Sequence, residues 1–343
     1  MPTLSSEHHV FDPRPDFPFR FAVKRLWDPS SPYLQDEDAY TLFMVHGTGF
    51  HKEHWEPVLD DLYELLPKQS GGVVKVREAW CLDTYNHGDS ALLNEEVLTQ
   101  GYDKLCSWED IARGIHVFLS GKGTGIDVDF SKRKLAGIGH SSGAVGLILS
   151  TTYYPRVKYS LLHLVEPMIL PPFPSDVPNV LEAGAVKRRD VWPSKEEAMK
   201  AFSSRPSWQV WDARILKLYV EHGLTSLPTL TYPDVSEGVT LKCPRHLEAA
   251  SYRDGVTRTR ALWYLPTLVR RYPVHILYGA VSDYYPGSIK EDVINNAGAS
   301  NFASIVWAEG AGHLITQINP TQLAREIVKV LAAPIPAHIN SKL

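Results

Sequence analysis

The sequence predicts an α/β fold, a mostly parallel and doubly wound sheet that carries an inserted helical cap. The first observation is that short runs rich in Val, Ile, Leu and aromatic residues alternate with stretches whose apolar residues recur at helical spacing. The second is a long segment, residues 167–272, that interrupts this alternation. With 343 residues, 44% of them hydrophobic, the chain is long enough to bury a deep core.

Each element is predicted from its own pattern. The expected strands are residues 19–27, 41–45, 73–82, 134–138, 161–165, 274–278 and 303–307. The helical stretches with the clearest apolar face are 108–119 and 323–331. Strands that alternate with helices along the chain predict parallel pairing, since parallel neighbours need a crossover between them.

The segment 167–272 contains helical pieces but no convincing strand, and it is too long for a structureless loop. It therefore predicts a helical cap between two parts of a core, residues 1–166 and 273–331. Its aromatic residues are Trp192, Trp208, Trp211, Trp263, Tyr219, Tyr232 and Tyr264. Large rings are mostly buried, so we expect most of them to pack the cap's own core and some to line a cleft.

Composition excludes several classes of partner. The net charge of −4 gives no basic footprint for nucleic acid. Three cysteines without close pairing predict neither a disulfide framework nor a thiolate metal site. The histidines of "HKEH" do not match a zinc-binding spacing, and we expect them to be solvated loop residues. No apolar run approaches the length of a membrane span, so no integral membrane segment is expected. No metal and no cofactor are expected either.

The residues after 331 are expected to form an extended tail, 332–343, because Pro334 and Pro336 end the preceding helix. The tail closes on Ser341, Lys342 and Leu343. A terminal S-K-L is the address that a peroxisomal import receptor reads. The sequence therefore predicts that receptor as a partner and the peroxisomal matrix as the location.

The stretch "GIGHSSGAVG" lies where the strand 134–138 gives way to a helix. In its G-x-S-x-G pattern, Ser141 occupies a strained turn that exposes the hydroxyl, and the N–H of Ser142 points toward an oxyanion formed there. A dinucleotide loop needs a third glycine where Ser142 stands, and a phosphate loop needs a lysine after the glycines. The pattern therefore predicts a nucleophilic serine.

Other loops supply the partners that such a serine needs. The glycine-rich run 46–49 follows a strand and can turn the backbone N–H of Thr48 toward the same oxyanion. His313 lies in a loop of small residues after a late strand, as a general base must. Asp283 follows the strand before it, so the acid precedes the base in the expected order.

The acid has two candidates. Glu166 ends the strand 161–165, and an alternative reading makes it a structural carboxylate at the base of the cap. Asp283 is preferred because of its loop position and its spacing from His313. The catalytic set predicted here is Ser141, His313 and Asp283, with Glu166 as the alternative acid.

These ordered motifs resemble the α/β-hydrolase superfamily over residues 19–331, and "LDTYNHGDS" also resembles a conserved turn of that family, although Asn86 departs from it. Parts of the cap, such as "WQVWDARILKLYVEHGL", resemble a fungal peroxisomal branch that includes hydrolases of AK-toxin-type pathways. The resemblance implies hydrolysis through an acyl-enzyme without metal or cofactor. A serine at the elbow argues against the epoxide hydrolases and dehalogenases of the superfamily, which use aspartate there.

The expected substrate is a hydrophobic small molecule, an ester, lactone or acyl-CoA thioester, and the resemblance extends this to fungal toxin or secondary-metabolite biosynthesis. Residues expected to line its pocket are Gly49, Phe50, His140, Trp208 and Trp211. Two alternatives stay open. An acyltransferase would use the same acyl-enzyme, and a catalytically silent relative would only bind a small ligand.

Overall fold

The computed structural model describes residues 4–69, 74–172, 179–334 and 339. The strands are β1 (Ser5–Phe11), β2 (Phe21–Trp27), β3 (Tyr40–Val45), β4 (Val76–Leu82), β5 (Lys134–His140), β6 (Leu161–Val165), β7 (Val191–Trp192), β8 (Leu224–Ser226), β9 (Val239–Leu241), β10 (Val274–Gly279) and β11 (Ser304–Ala308). The helices are α1 (Glu56–Gln69), α2 (Gly88–Leu93), α3 (Glu95–Leu98), α4 (Trp108–Leu119), α5 (Ser142–Ser150), α6 (Val180–Lys187), α7 (Lys195–Ser203), α8 (Pro206–Gln209), α9 (Ala213–Gly223), α10 (Arg245–Tyr252), α11 (Gly255–Leu268), α12 (Gly287–Ala297), α13 (Ile315–Ile318) and α14 (Pro320–Ala332).

The main sheet has eight strands in the order β1-β2-β4-β3-β5-β6-β10-β11. The pairs from β4 to β11 are parallel, whereas β2 pairs antiparallel with both β1 and β4. The predicted α/β architecture and all seven predicted strands are confirmed. The sequence prediction missed β1, because "SSEHHVF" is mostly polar and its strand lies at an exposed edge of the sheet.

Helices cover both faces of this sheet, so its central strands are buried throughout. Every residue of β3 and of β4 is buried. On one face α4, α5 and α11 pack together, and on the other α1 packs against α14. Strands buried on both faces carry continuous apolar runs, which is why "YTLFMV" lacks the alternation of a half-exposed strand.

One helix of the segment predicted as the cap packs against the core. Helix α11 lies within the predicted range 167–272, yet it packs against α5 of the core. Its Leu265 and Leu268 are fully buried in the main hydrophobic core. Helix α11 therefore packs with the core, immediately before β10, although the sequence prediction placed it in the cap.

The sequence predicted a helical cap, but the cap also contains strands. Strands β7, β9 and β8 form a small antiparallel sheet within it. Strands of two or three residues are too short to give a readable periodicity, which explains the miss. Trp192, Phe202, Trp211 and Tyr219 form a separate core for the cap, as expected, but Trp263 on α11 is 73% exposed.

The tail expected at 332–343 lies largely outside the described residues, and this includes Ser341, Lys342 and Leu343. Within it, Ile339 is fully buried, so the tail is not accessible at every position. Among the residues that the structure describes, none of the helices is both long and apolar enough to cross a bilayer.

Candidate active site

Ser141 stands at the sharp turn between β5 and α5 with φ 55° and ψ −117°. Such a positive φ is rare for a residue other than glycine and stores strain. The flanking glycines permit the turn, since a Cβ on Gly139 would lie 2.7 Å from the nitrogen of Ala144 and one on Gly143 would lie 2.4 Å from the oxygen of Val45. The serine is held at the carboxyl end of the sheet, where ligands of open α/β sheets bind.

The imidazole of His313 lies beside this serine. Its Nε2 is 3.1 Å from Ser141 Oγ, although 172 residues separate the two in sequence. His313 lies in the loop after β11, and its carbonyl oxygen accepts a hydrogen bond from His140 Nε2 at 2.9 Å. The 3.1 Å between His313 Nε2 and Ser141 Oγ is short enough for proton transfer between a nucleophile and its base.

Glu166, and not Asp283, faces the other nitrogen of this ring. Glu166 Oε2 lies 3.1 Å from His313 Nδ1. Both carboxylate oxygens of Asp283 instead accept the backbone N–H of His313, at 3.0 and 3.1 Å. Of the two carboxylates, Glu166, the alternative acid of the sequence analysis, meets the imidazole ring, and Asp283 meets the main chain of the histidine.

The carboxylate of Glu166 is fully buried and carries three further interactions. Its Oε1 accepts the N–H of Gly279 at 2.5 Å and Lys290 Nζ at 2.7 Å, and its Oε2 accepts the hydroxyl of Tyr285 at 3.2 Å. Burial by itself raises the pKa of this carboxyl, but His313 and Lys290 outweigh it and lower the pKa to about 2. Glu166 is therefore ionised at neutral pH.

The loop 46–49 lies directly against the serine turn. A Cβ on Gly47 would stand 2.9 Å from Ser141 Cβ, so only glycine lets the two segments approach this closely. Thr48 Oγ1 donates to Ser142 Oγ at 3.0 Å, which ties the loop to the start of α5. The N–H of Gly49 is occupied by His87 Nε2 at 2.8 Å. Thr48 and Ser142 thus lie side by side next to the nucleophile.

Buried charges anchor this loop to the turn after β4, a feature that the sequence prediction missed. Lys52 is 1% exposed, and its Nζ contacts Asp83 at 2.8 Å and Asp89 at 2.6 Å. The carboxylates raise the pKa of Lys52 despite its burial, so it stays charged. The run of acids and histidine in "LDTYNHGDS" was the available signal for this network.

The histidines near the loop are buried. His51 and His54, which were expected to be solvated, are 2% and 1% exposed, and their rings lie 4.4 Å apart. His46 donates from Nδ1 to the carbonyl of Gly47 at 2.8 Å, and burial lowers its pKa to about 4. Among the described residues, no group of three or more His, Cys, Asp or Glu side chains is arranged to hold a metal ion.

Of the residues predicted to line the pocket, Phe50 contacts both the core and the cap, whereas Trp208 lies within the cap. The Phe50 ring lies between His140 at 6.0 Å and Trp211 at 5.8 Å, on the cap side of the site. Trp208 packs behind Trp211 at 4.4 Å and belongs with the cap's own aromatic cluster.

Polar side chains of the cap also reach the loop 46–49. Gly49 faces Glu248, which forms an ion pair with Arg188 of the cap. The hydroxyl of Tyr252 donates to the carbonyl of Thr48 at 3.5 Å. Helix α10, which carries Glu248 and Tyr252, therefore covers the loop next to the serine.

Comparison with known proteins identifies relatives of this chain by sequence. The type I acyl-CoA thioesterase mpaH of Penicillium brevicompactum is 37% identical over 205 residues, 58% of this chain and 43% of the relative. The abhydrolase domain-containing protein AKT2 of Alternaria alternata is 33% identical over 96 residues, 28% of this chain and 35% of the relative. The chain thus spans less than half the length of these curated relatives.

The fold recurs in the yeast protein LPX1. This peroxisomal membrane protein of Saccharomyces cerevisiae is 27% identical over 150 residues, 41% of this chain and 36% of the relative. Its solved structure, described as a peroxisomal alpha-beta-hydrolase, has a TM-score of 0.70 at 19% identity and covers 98% of this chain and 91% of its own. The profile of the alpha/beta hydrolase family matches residues 42–326, a range that contains the serine turn, Glu166 and the His313 loop. This chain therefore belongs to the alpha/beta hydrolase family.

Proposed function

We propose that this protein is a serine hydrolase that cleaves a hydrophobic acyl-CoA thioester, ester or lactone through an acyl-enzyme. The observation that carries the proposal is the unbroken chain of contacts from Ser141 Oγ to His313 Nε2 and from His313 Nδ1 to Glu166 Oε2, each 3.1 Å long. A strained serine, a buried imidazole and an ionised carboxylate in that order form a nucleophilic triad.

In this mechanism His313 removes the proton of Ser141 as the hydroxyl attacks the substrate carbonyl. Glu166 accepts a hydrogen bond from the N–H at Nδ1 of His313. This bond keeps Nε2 free to act as the base and stabilises the imidazolium that forms. The backbone N–H groups of Ser142 and Thr48 stabilise the oxyanion, aided by the positive end of α5. Water then releases the acid from Ser141.

The substrate class is inferred from the wall of the site and from the relatives. The Phe50 ring contacts His140, the residue before the serine, and Trp211 of the cap, and aromatic surface at this position would suit an apolar acyl group. A thioester is favoured because mpaH, the relative that is 37% identical, is named as an acyl-CoA thioesterase. A role in fungal toxin or secondary-metabolite biosynthesis stays a prediction.

Acyl transfer would use the same acyl-enzyme and differs only in the acceptor that takes the acyl group. Ser141 is 6% and His313 3% exposed, so the cap excludes bulk water from the reacting atoms. Exclusion of water favours productive attack in either reaction. Measuring whether acid or a new ester accumulates separates the two.

The nucleophile is tested with a fluorophosphonate probe and intact-mass analysis. We expect one adduct on the wild type and none on Ser141→Ala, because only the activated hydroxyl at the elbow reacts. Ser142→Ala is the matched control and should still be labelled, since its role is played by the backbone. A folded wild type without any adduct would favour a silent, ligand-binding protein instead.

The acid is tested by exchanging each carboxylate for its amide. We expect Glu166→Gln to lower kcat by about 10⁴-fold, because an amide no longer holds the imidazole in the required tautomer. Asp283→Asn should cost about tenfold or less, since its remaining carbonyl oxygen still accepts the His313 N–H and one hydrogen bond is worth about 1 kcal/mol. Steady-state thioesterase kinetics decide, and the opposite ranking of the two variants would restore Asp283 as the acid.

Acyl-chain preference follows from the aromatic wall. We expect kcat/KM for octanoyl-CoA to exceed that for acetyl-CoA by at least about tenfold, because each buried methylene contributes up to about 0.8 kcal/mol. Release of the free thiol measures the rate. Phe50→Ala should narrow the difference, and equal rates on both thioesters in the wild type would reject the apolar pocket.

A peroxisomal location is proposed from Ser341, Lys342 and Leu343, with support from the similarity to the yeast protein named as peroxisomal. A fluorescent protein fused ahead of residue 1 should then mark peroxisomes in a fungal cell. The same fusion without the last three residues should become diffuse. Peroxisomal signal that persists in the shortened fusion would show that the tripeptide is not the address.

A further inference from the structure

Lys290 is a buried cation beside the active site that neither the sequence prediction nor the mechanism above uses. It lies in the first turn of α12 and is 1% exposed. Its Nζ donates to Glu166 Oε1 at 2.7 Å and to the carbonyl of Gly279 at 2.9 Å. The same nitrogen lies over the rings of Tyr278, at 5.4 Å, and Tyr285, at 5.3 Å.

An ammonium group is expensive to bury, so its position requires a compensating charge. The carboxylate that compensates it is the one that faces His313. Oxygen Oε1 of Glu166 accepts Lys290 and the N–H of Gly279, whereas Oε2 accepts His313 Nδ1 and the hydroxyl of Tyr285. The negative charge of Glu166 is therefore shared between a permanent cation and the imidazole.

We propose that Lys290 is a positioning residue for the triad: it holds the carboxylate of Glu166 in place against the His313 ring and offsets the negative charge that this carboxylate presents to the imidazole. This inference rests on the proposed function, since it takes His313 as the base and Glu166 as its partner. Lys290 touches neither substrate nor nucleophile and acts through Glu166 alone.

The direction of the effect follows from the charges around the ring. An anion next to imidazole favours imidazolium, and a cation next to that anion weakens the effect. Removing the charge of Lys290 leaves Glu166 to act on His313 without opposition. The imidazolium then persists to higher pH, and the neutral base becomes available later in the titration.

The other groups that face the pair do not replace this cation. His140 lies 5.2 Å from the His313 ring, and burial lowers the pKa of His140 to about 3, so it is neutral. Asp283 accepts the His313 N–H, and the ring of Tyr284 lies 4.5 Å from the imidazole at a tilt of 32°. Burial raises the pKa of Tyr285 well above its ordinary value, so this side chain stays a neutral donor to Glu166. Apart from His313, the described side chains that donate a hydrogen bond to Glu166 are those of Tyr285 and Lys290. Of these two, Lys290 carries the positive charge.

The test is the rate of fluorophosphonate labelling of Ser141 over the range where imidazole titrates, about pH 5 to 8. We expect the half-maximal rate of Lys290→Met to shift to higher pH by about one unit, the size of effect that a neighbouring charge produces. Lys290→Arg keeps the charge and should stay near the wild-type profile. Lys329→Met, which removes an exposed lysine from α14, is the matched control and should not shift.

A purely structural role predicts a different result. Lys290→Met that is folded and labelled at high pH, but keeps the wild-type midpoint, overturns the proposal. If methionine disrupts folding, Lys290→Gln provides a second neutral side chain with the same expected shift. An absence of labelling in the wild type at every pH would instead reject the proposed function, and is thus distinguishable from a failure of this inference alone.

Discussion

The positive φ of Ser141 is the constraint around which the rest of the site is arranged. A serine in this conformation directs its hydroxyl away from the sheet, and it persists only where the surrounding backbone holds it. Gly139 and Gly143 leave the required space, and Gly47 brings the neighbouring loop within contact of the serine. Because parallel strands end at one edge, the same turn lies within reach of the loops that carry Glu166 and His313.

Buried charge is the second organising feature, and it occurs on both sides of the serine. Lys52 joins Asp83 and Asp89 beneath the loop 46–49, and Lys290 joins Glu166 behind His313. Such pairs add little net stability, because desolvation offsets much of the attraction between the charges. Their value here is geometric, since one pair ties the residues after the loop 46–49 to the turn after β4, and the other ties α12 to the end of β6.

The cap completes the site by covering it rather than by contributing to the triad. Its aromatic core is separate from the main core, so the cap is a packed unit of its own. Trp211 connects that unit to Phe50 of the core, and Tyr252 connects it to the carbonyl of Thr48.

The sequence by itself determined the layout of this protein. Apolar runs at strand and helix spacing located seven strands of the main sheet, and the short motifs located Ser141, the loop 46–49 and His313, because periodicity and tight turns are local properties of the chain. It could not locate β1, the short strands of the cap, or the packing of α11 against the core. Those depend on which surface an element packs against, which no local pattern records.

Only the tertiary structure decided the electrostatics of the site. Glu166 and Asp283 both follow strands that end at the same edge of the sheet, so both were candidates, and loop position and spacing favoured Asp283. The two carboxylates differ in the atom of His313 that each meets, since Glu166 lies at Nδ1 of the ring and Asp283 at the backbone N–H, and the pairing of Lys290 with Glu166 spans 124 residues. Local sequence determines which residues stand at a strand end, whereas the packing of distant segments determines which of their atoms meet.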